Sequence, residues 1–221
     1  MFEREYKDME HVPRWTIVRK IRTQFISSHS YLVAMYANDL CSFFAVNEAT
    51  HLCTLQYALW HDVDEIFSGD MAGPAKRRLV TDKKGWKDGL HHLMASVFGP
   101  FYKTRSGETA VPTSANTTVA QLIVKAADWL EAAMEMAAEY QLGNRNVEHH
   151  IVHDLNMAVQ TAHLVCDAMK VGGPGYSYKQ RIEDAMRDAV KRQQFEVSRG
   201  PLTDPVERLV AETLRLIRPS S

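Results

Sequence analysis

The sequence predicts an all-α protein. Apolar residues recur every three to four positions through most of the chain, and no stretch of four or more residues alternates as a half-buried strand would. Residue types that are common at helix ends stand at the borders of these periodic stretches. With 221 residues, of which 45% are hydrophobic and 24% charged, the chain has the size and composition of one globular domain.

Two helices are predicted in the first third of the chain. Residues 30–44 and 50–66 both place apolar side chains on one face. His91 and His92 stand in a lysine-rich helical stretch, and we expect them on the surface. Residues 103–117 are rich in Ser, Thr, Gly and Asn, which predicts an exposed loop.

Helices are also predicted after this loop. Thr118 and Gln121 have the spacing of a capping box at the start of a helix that ends before Gly143. Asp204-Pro205 is an N-cap followed by a first-turn proline. The predicted helices cover residues 118–142, 147–171, 179–197 and 204–217. We expect one domain over residues 1–221, with a core of about 12–142 and a C-terminal helical extension of about 147–221.

Charge and cysteine content exclude several classes of protein. There are 26 basic and 27 acidic residues, so the basic surplus of a nucleic-acid coat protein is missing. Cys41, Cys53 and Cys166 form no CxxC pair, which argues against a disulfide framework or a zinc knuckle and fits a reducing compartment. The N-terminal segment lacks a secretory apolar region, and no apolar run approaches the ~18 residues of a membrane span. We expect a cytoplasmic protein with neither a nucleic-acid polymer nor a membrane as partner.

One histidine stands in an unusual context. His61 begins the run His61-Asp62-Val63-Asp64-Glu65, within a stretch that is otherwise apolar. Burying such ionisable groups costs several kcal/mol unless they pair or bind a ligand. Because adjacent helical residues point about 100° apart, one ion is held by both His61 and Asp62 only at that edge of the helix, with other segments completing the shell. Plausible completions are His29 and Asp128.

A second histidine cluster is weighed against this one. His149 and His153 have the i, i+4 spacing of metal-binding pairs, but no HExxH surrounds them, so a solvated or partly buried helix face is favoured. His153-Asp154 is another His-Asp dipeptide. It lacks the acidic and glycine-containing context that follows His61, and we expect no metal there.

The order of these residues resembles that of the HD-domain metal phosphohydrolases. The bacterial HD-domain 5′-deoxynucleotidases are the most similar group, and phage dATP triphosphohydrolases share the outline. The motifs that carry the likeness are Arg14-Trp15, Ser28-His29-Ser30, His61-Asp62-x-x-Glu65, Gly69-Asp70 and Lys125-Ala126-x-Asp128. The likeness covers about residues 12–142 and implies an HD-domain helical bundle with additional C-terminal helices.

The resemblance implies a role for each matching residue. Glu65 would orient or deprotonate the attacking water, and Asp70 would lie near the leaving 5′ oxygen or the sugar. Arg14 would hold the phosphate with its bidentate fork, and Trp15 would pack on the deoxyribose and exclude a 2′-hydroxyl. The metal ligands would be His29, His61, Asp62 and Asp128.

The predicted cofactor is a divalent metal ion. Two imidazoles and two carboxylates form a mixed N/O site that leaves octahedral positions open, which suits Mn, Co, Fe, Ni or Mg better than a closed tetrahedral zinc site. The identity of the ion stays open among Co, Mn, Mg, Ni, Fe and Zn.

Further substrate contacts are predicted around this centre. His29, Lys76 and Lys125 are assigned to substrate binding as well, although Lys125 is equally well explained as a helix-face lysine. After Asp70 the chain reads Met71-Ala72-Gly73-Pro74, where the related nucleotidases have a Leu-Pro-Thr-Pro type of turn, so one hydroxyl is missing. Lys76-Arg77-Arg78 either meets the outer phosphates of a triphosphate or forms a solvated helix face.

The expected substrate is a small-molecule 2′-deoxynucleotide. Its 5′ phosphoester would be hydrolysed to release the deoxynucleoside, with phosphate from a dNMP or triphosphate from a dNTP such as dATP. The rival enzyme is a hydrolase of cyclic or guanosine polyphosphate nucleotides, against which the Arg14-Trp15 pair argues. The rival from another class is a degenerate HD module that binds nucleotide as a sensor or scaffold, against which the complete ligand set and Glu65 argue. A homo-oligomer is expected.

Overall fold

The computed structural model describes residues 7–72, 82–98 and 115–169, and within these ranges the regular structure is helical. The all-α prediction is therefore confirmed for this part of the chain. Short 3₁₀ turns cover Met9–His11 and Arg145–Val147. The helices are α1 (Ile26–Phe43), α2 (Glu48–Trp60), α3 (Glu65–Ser68), α4 (Lys83–Phe98), α5 (Ala115–Gln141) and α6 (Glu148–Ala168). The helices predicted at 179–197 and 204–217, and residues 103–114 of the predicted loop, lie outside the described residues. The last three residues of that loop, 115–117, are helical instead, because α5 begins at Ala115, before the predicted capping box.

The 27-residue helix α5 forms the centre of the fold. It packs against α1, α2 and α6, and its buried face contains many small residues, which allow neighbouring helices to approach closely. Ile123 and Met136 are among the largest fully buried side chains, and both belong to this face. The helices predicted at 118–142 and 147–171 correspond to α5 and α6. No helix within the described ranges is both long and apolar enough to cross a membrane.

The single helix predicted over residues 50–66 is wrong, because the chain leaves the helix at Trp60. A turn with bonds between residues three apart follows: the Val63 N–H donates to the Trp60 carbonyl at 3.2 Å and the Glu65 N–H donates to the Asp62 carbonyl at 3.0 Å. The short helix α3 then ends at Gly69, whose φ of 69° favours glycine. His61 and Asp62 therefore lie in a tight turn between two helices, which changes the direction of their side chains.

The segment before α1 folds into a loop that closes on itself. An isolated bridge joins Pro13 to Phe25, and the Arg14 N–H donates to the Gln24 carbonyl at 2.8 Å. The carboxylate of Glu139 on α5 accepts a hydrogen bond from the Arg22 N–H at 2.9 Å. These bonds hold residues 12–26 against α5 and fix where Arg14 and Trp15 lie.

Candidate metal centre and active site

Four side-chain donor atoms converge in the interior of the bundle. His29 lies on α1, His61 and Asp62 lie in the turn after α2, and Asp128 lies on α5. The Nε2 atom of His29 is 3.2 Å from His61 Nε2, 3.3 Å from Asp62 Oδ2 and 3.5 Å from Asp128 Oδ1. His61 Nε2 is 3.2 Å from Asp62 Oδ2. The structure thus brings together all four residues that the sequence analysis assigned to a metal.

The hydrogen bonds of the two imidazoles fit a cation at this point. The Nδ1 of His61 lies 2.7 Å from the Ala58 carbonyl, and that of His29 lies 2.6 Å from a carboxylate oxygen of Glu131. Both partners only accept, so each Nδ1 carries a proton. When the rings are neutral, each therefore turns the lone pair of its Nε2 toward the other. Two such lone pairs cannot bond to one another, whereas a metal ion accepts both. Ligand atoms of His29, His61 and Asp128 all lie within 4.8 Å of one another, as a shared ion requires.

The charges of the cluster are strongly coupled. Burial acts to lower the pKa of His61, but the charge and hydrogen bond of Asp62, together with Asp128 and the Ala58 carbonyl, raise this pKa to about 9. Despite burial, the charge of His61 and hydrogen bonds from both histidines hold the pKa of Asp62 well below its usual range. A positive charge is therefore favoured at the centre, carried by an imidazolium or by a metal ion that displaces its proton.

Glu131 connects this cluster to a basic side chain. Its Oε2 accepts the His29 proton and also lies 3.1 Å from Nη1 of Arg14, while Nη2 of Arg14 lies 3.3 Å from Asp128 Oδ1. Glu131 is only 1% exposed. Arg14, which was predicted to hold the phosphate, therefore lies beside a predicted metal ligand, and its guanidinium spans two acidic residues.

Glu65 is buried near the cluster at the start of α3. Its Oε2 has no hydrogen-bond partner among the described residues. Burial, together with the charges of Asp62 and Asp70, raises the pKa of Glu65 to about 9, although Arg14 acts in the opposite direction. Without a cation at the cluster, Glu65 therefore holds a proton at neutral pH. A divalent ion bound beside Asp62 would lower this pKa and leave the carboxylate able to accept a proton from water, which is its predicted role.

Trp15 and Asp70 are held together. The Trp15 N–H donates to Oδ2 of Asp70 at 2.6 Å, and Trp15 has a φ of 64°, a left-handed conformation that is costly for a bulky residue. Its indole Nε1–H donates to Gln24 Oε1 at 3.0 Å. Asp70 was predicted to lie near the leaving 5′ oxygen or the sugar. Its carboxylate binds the backbone of the residue predicted to pack on that sugar.

The remaining predicted residues differ in position. Lys125 donates to Asp128 Oδ2 at 2.6 Å with a side chain that is 52% exposed, so it lies at the edge of the cluster. Lys76, Arg77 and Arg78 lie outside the described residues. The His153 ring packs edge-on against Trp129, and His149 lies against His150.

The family of the chain follows from comparison with known proteins. Residues 1–166 match the family described as 5′-deoxynucleotidase YfbR-like. The chain belongs to this family. The match extends past residue 142, where the recognisable motifs end, and includes nearly all of α6.

Individual members of the YfbR-like family share parts of the sequence. The chain is 34% identical to a dATP triphosphohydrolase of Salmonella phage PMBT28 over 83 residues, which cover 34% of this chain and 43% of that protein. It is 27% identical over 156 residues to a 5′-deoxynucleotidase of Photorhabdus laumondii subsp. laumondii, covering 67% of this chain and 74% of that protein. The matched segment thus spans less than half of the phage relative.

A solved structure supports the fold of this YfbR-like chain. An HD-domain phosphohydrolase from Listeria innocua superposes with a TM-score of 0.56, and the alignment covers 96% of both chains at 16% sequence identity. At this identity the similarity shows the HD-domain fold alone.

Sequence reasoning missed three buried polar residues around the site of this YfbR-like protein. Glu131 lies three residues after Asp128, a spacing that puts both on one face of α5 and could have indicated it. Gln24 links the Trp15 indole to Glu131, to which its Nε2 donates at 2.5 Å. Asp154, set aside above as part of a second His-Asp dipeptide, is 2% exposed.

Proposed function

We propose that this chain is a metal-dependent phosphohydrolase that cleaves the 5′ phosphoester of 2′-deoxynucleotides and releases the deoxynucleoside. The observation that carries the proposal is the convergence of His29, His61, Asp62 and Asp128, with both imidazole Nδ1 protons bound elsewhere. The names of the matched relatives, 5′-deoxynucleotidase and dATP triphosphohydrolase, supply the substrate class.

The surrounding residues support a hydrolytic reaction. When bound, a divalent cation would polarise a phosphate oxygen and lower the pKa of water. Glu65 is buried, and its Oε2 has no hydrogen-bond partner among the described residues. With its pKa lowered by the cation, it would take the proton from the attacking water. Arg14 would contact the phosphate with N–H groups not used by Asp128 and Glu131. Trp15 would lie along the deoxyribose.

The bond balance is the same for two substrates. The water oxygen bonds to the α-phosphorus, the bond from phosphorus to O5′ breaks, and O5′ takes a proton as the deoxynucleoside leaves. The other product is phosphate from a monophosphate or triphosphate from a dNTP. Both relatives' names are consistent with cleavage of this bond, so we propose it for either phosphate length.

The organisation of the whole protein is part of the proposal. We propose a single domain over residues 1–221, and the packing of α6 on the central helix α5 supports it as far as Ala168. A cytoplasmic location is supported by the three free thiols. A homo-oligomer is supported by large apolar side chains exposed on one helix, Tyr31, Leu32 and Met35. Light scattering after size exclusion tests the oligomer, and a monomer at micromolar concentration contradicts it.

A substrate panel tests the proposed activity. Purified protein is incubated with matched dNMP, dNTP, NMP, cyclic nucleotide and guanosine polyphosphate, and nucleoside and phosphate products are separated. The proposal expects a deoxynucleoside from at least one deoxynucleotide and little product from the matched ribonucleotide. Turnover of only cyclic or polyphosphate substrates would favour the rival enzyme. Nucleotide binding without turnover would favour a sensor or scaffold.

A further inference from the structure

One oxygen of a buried carboxyl group outside the metal cluster has no hydrogen-bond partner among the described residues. Asp154 lies on α6 and is 2% exposed, and its Oδ2 makes no hydrogen bond to any described residue. The side chains around it on the buried face of α6 are apolar, including Ile151, Leu155 and Ala158. By contrast, the buried hydroxyl of Thr161 on the same helix is paired, because it donates to the Met157 carbonyl at 2.7 Å. A buried polar oxygen left unpaired costs stability, so its retention calls for another explanation.

Two neighbours of Asp154 on α6 contact aromatic residues of the site. His150, one turn earlier on α6, lies edge-on to the Trp15 indole with ring centroids 5.9 Å apart. His153, the preceding residue, lies edge-on to Trp129 at 5.8 Å. Trp129 directly follows the predicted metal ligand Asp128. α6 therefore borders the site on both its Trp15 side and its Asp128 side, and Asp154 belongs to the turn of α6 that makes these contacts.

The electrostatic surroundings place Asp154 in the same charge network. Burial and the charge of Asp128 raise the pKa of Asp154 to about 7, although Arg14 and Lys125 act in the opposite direction. Such a carboxyl is a poor partner for a phosphate, since both groups are anionic. A neutral hydroxyl suits it in either protonation state, because a hydroxyl both donates and accepts.

We propose that Asp154 is a substrate-binding residue that hydrogen-bonds the 3′-hydroxyl of the deoxyribose. The proposal rests on the function proposed above, in which the 5′-phosphate lies at the metal cluster and the sugar lies along Trp15. A sugar held in this way presents its 3′-hydroxyl to the wall formed by α6. The unpartnered oxygen of Asp154 then gains the hydrogen bond that it lacks within the described chain.

The test compares two substrates that differ only in the 3′-hydroxyl. kcat/KM is measured for 2′-deoxyadenosine and 2′,3′-dideoxyadenosine 5′-phosphates, at the phosphate length that the wild type hydrolyses. A site built to bind a hydroxyl rejects the analogue that lacks it, so the wild type should prefer the 3′-hydroxyl by about tenfold or more. In Asp154→Ala, kcat/KM should fall by this factor for the deoxy substrate and change little for the dideoxy substrate. The ratio of the two kcat/KM values should therefore fall toward one.

The control variant is Asp167→Asn, which changes an exposed aspartate on the same helix and should keep the wild-type ratio. Equal losses of Asp154→Ala on both substrates would overturn the proposal, because a structural defect does not distinguish them. Equal kcat/KM of the wild type for both substrates would also overturn it, and this comparison does not depend on the folding of the variant. If the wild type hydrolyses neither substrate nor any other deoxynucleotide, the proposed function fails and this inference fails with it.

Discussion

Glu131 Oε2 lies 2.6 Å from His29 Nδ1, and this buried hydrogen bond sets which nitrogen of His29 faces the metal cluster. The same carboxylate accepts hydrogen bonds from Gln24 and Arg14, so its two oxygens hold three donors. Partners of this kind orient metal-ligating histidines and raise their basicity. Glu131 is therefore a positioning residue on which the geometry of the cluster depends.

Glu131→Gln should weaken metal binding by about 10–100-fold, because the neutral amide cannot accept from all three donors. Affinity is measured by competition with a chelating dye, and folding by circular dichroism. Glu135→Gln, on the same helix and paired with Lys20 instead, serves as the matched control and should bind metal like the wild type. An unchanged metal affinity in Glu131→Gln would show that the bond to His29 does not matter for the site.

Removal of a predicted ligand should act on bound metal directly. His61→Ala should lower the metal content sharply and Asp128→Ala should abolish turnover, because an incomplete coordination shell loses affinity. His149→Ala and His153→Ala should be nearly neutral in metal content measured by elemental analysis. Loss of metal in the His149 and His153 variants, with metal retained in His61→Ala, would show that the ion binds at His149 and His153 instead of at the predicted cluster.

Glu65→Ala should separate metal binding from turnover. The residue is predicted to serve the water rather than the ion, so the variant should keep bound metal and lose most of kcat. Its stability should not fall by the amount typical of a broken buried pair, since Oε2 has no partner among the described residues. Turnover near that of the wild type would remove Glu65 from the mechanism.

Trp15→Ala should narrow the preference for deoxy over ribo substrates. The indole is the predicted barrier beside C2′, so its removal should reduce the kcat/KM ratio by about tenfold or more, or about 1.4 kcal/mol. Asp70→Ala should shift the same ratio in the same direction, because the backbone of Trp15 loses its 2.6 Å hydrogen bond. If the sugar preference stays unchanged in Trp15→Ala, the indole does not exclude the 2′-hydroxyl.

Asp154 should make stability depend on pH. Burial and the charge of Asp128 raise its pKa to about 7, above the ordinary value of 3.8, whereas Arg14 and Lys125 oppose this. The folded protein thus keeps a proton that the unfolded chain loses, so this residue's contribution to stability falls as the pH rises from about 4 to 7. The difference in unfolding free energy between Asp154→Asn and the wild type, both measured with a chelator present, should therefore shift in favour of the variant between pH 4 and 7. The expected shift is at least ~1 kcal/mol, or about 2–4 °C in Tm.

Thermal unfolding at several pH values measures this gain, with Asp167→Asn as the control that should show none. A difference between Asp154→Asn and wild type that stays constant from pH 4 to 8 would mean that the carboxyl is ionised throughout.

The sequence predicted the helices with strong periodicity and the residues with strong motif context. α5 and α6 correspond to predicted helices because long apolar stripes and glycine stops are local signals. The break after Trp60 was not predicted, since the apolar pattern continues through His61 while the chain turns. The break is formed by hydrogen bonds between backbone groups three residues apart, and the residue types in this stretch give no sign of them.

Residues that support the site were harder to predict than its ligands. His29, His61, Asp62 and Asp128 belong to ordered motifs, whereas Glu131 and Asp154 become notable only when burial is known. A glutamate within an alanine-rich helix resembles a solvated side chain, and only the packing of α1 against α5 shows that it faces His29. The contact between Asp70 and Trp15 likewise joins residues 55 positions apart.

The most direct test of the account is metal-dependent turnover of one substrate. The protein is stripped with a chelator, divalent ions are restored one at a time, and release of phosphate or triphosphate from a 2′-deoxynucleotide is followed beside His61→Ala under identical conditions. The account predicts no release without metal, recovery with at least one divalent ion and no recovery in His61→Ala. Full turnover by the chelated protein, or equal recovery in His61→Ala, would contradict it.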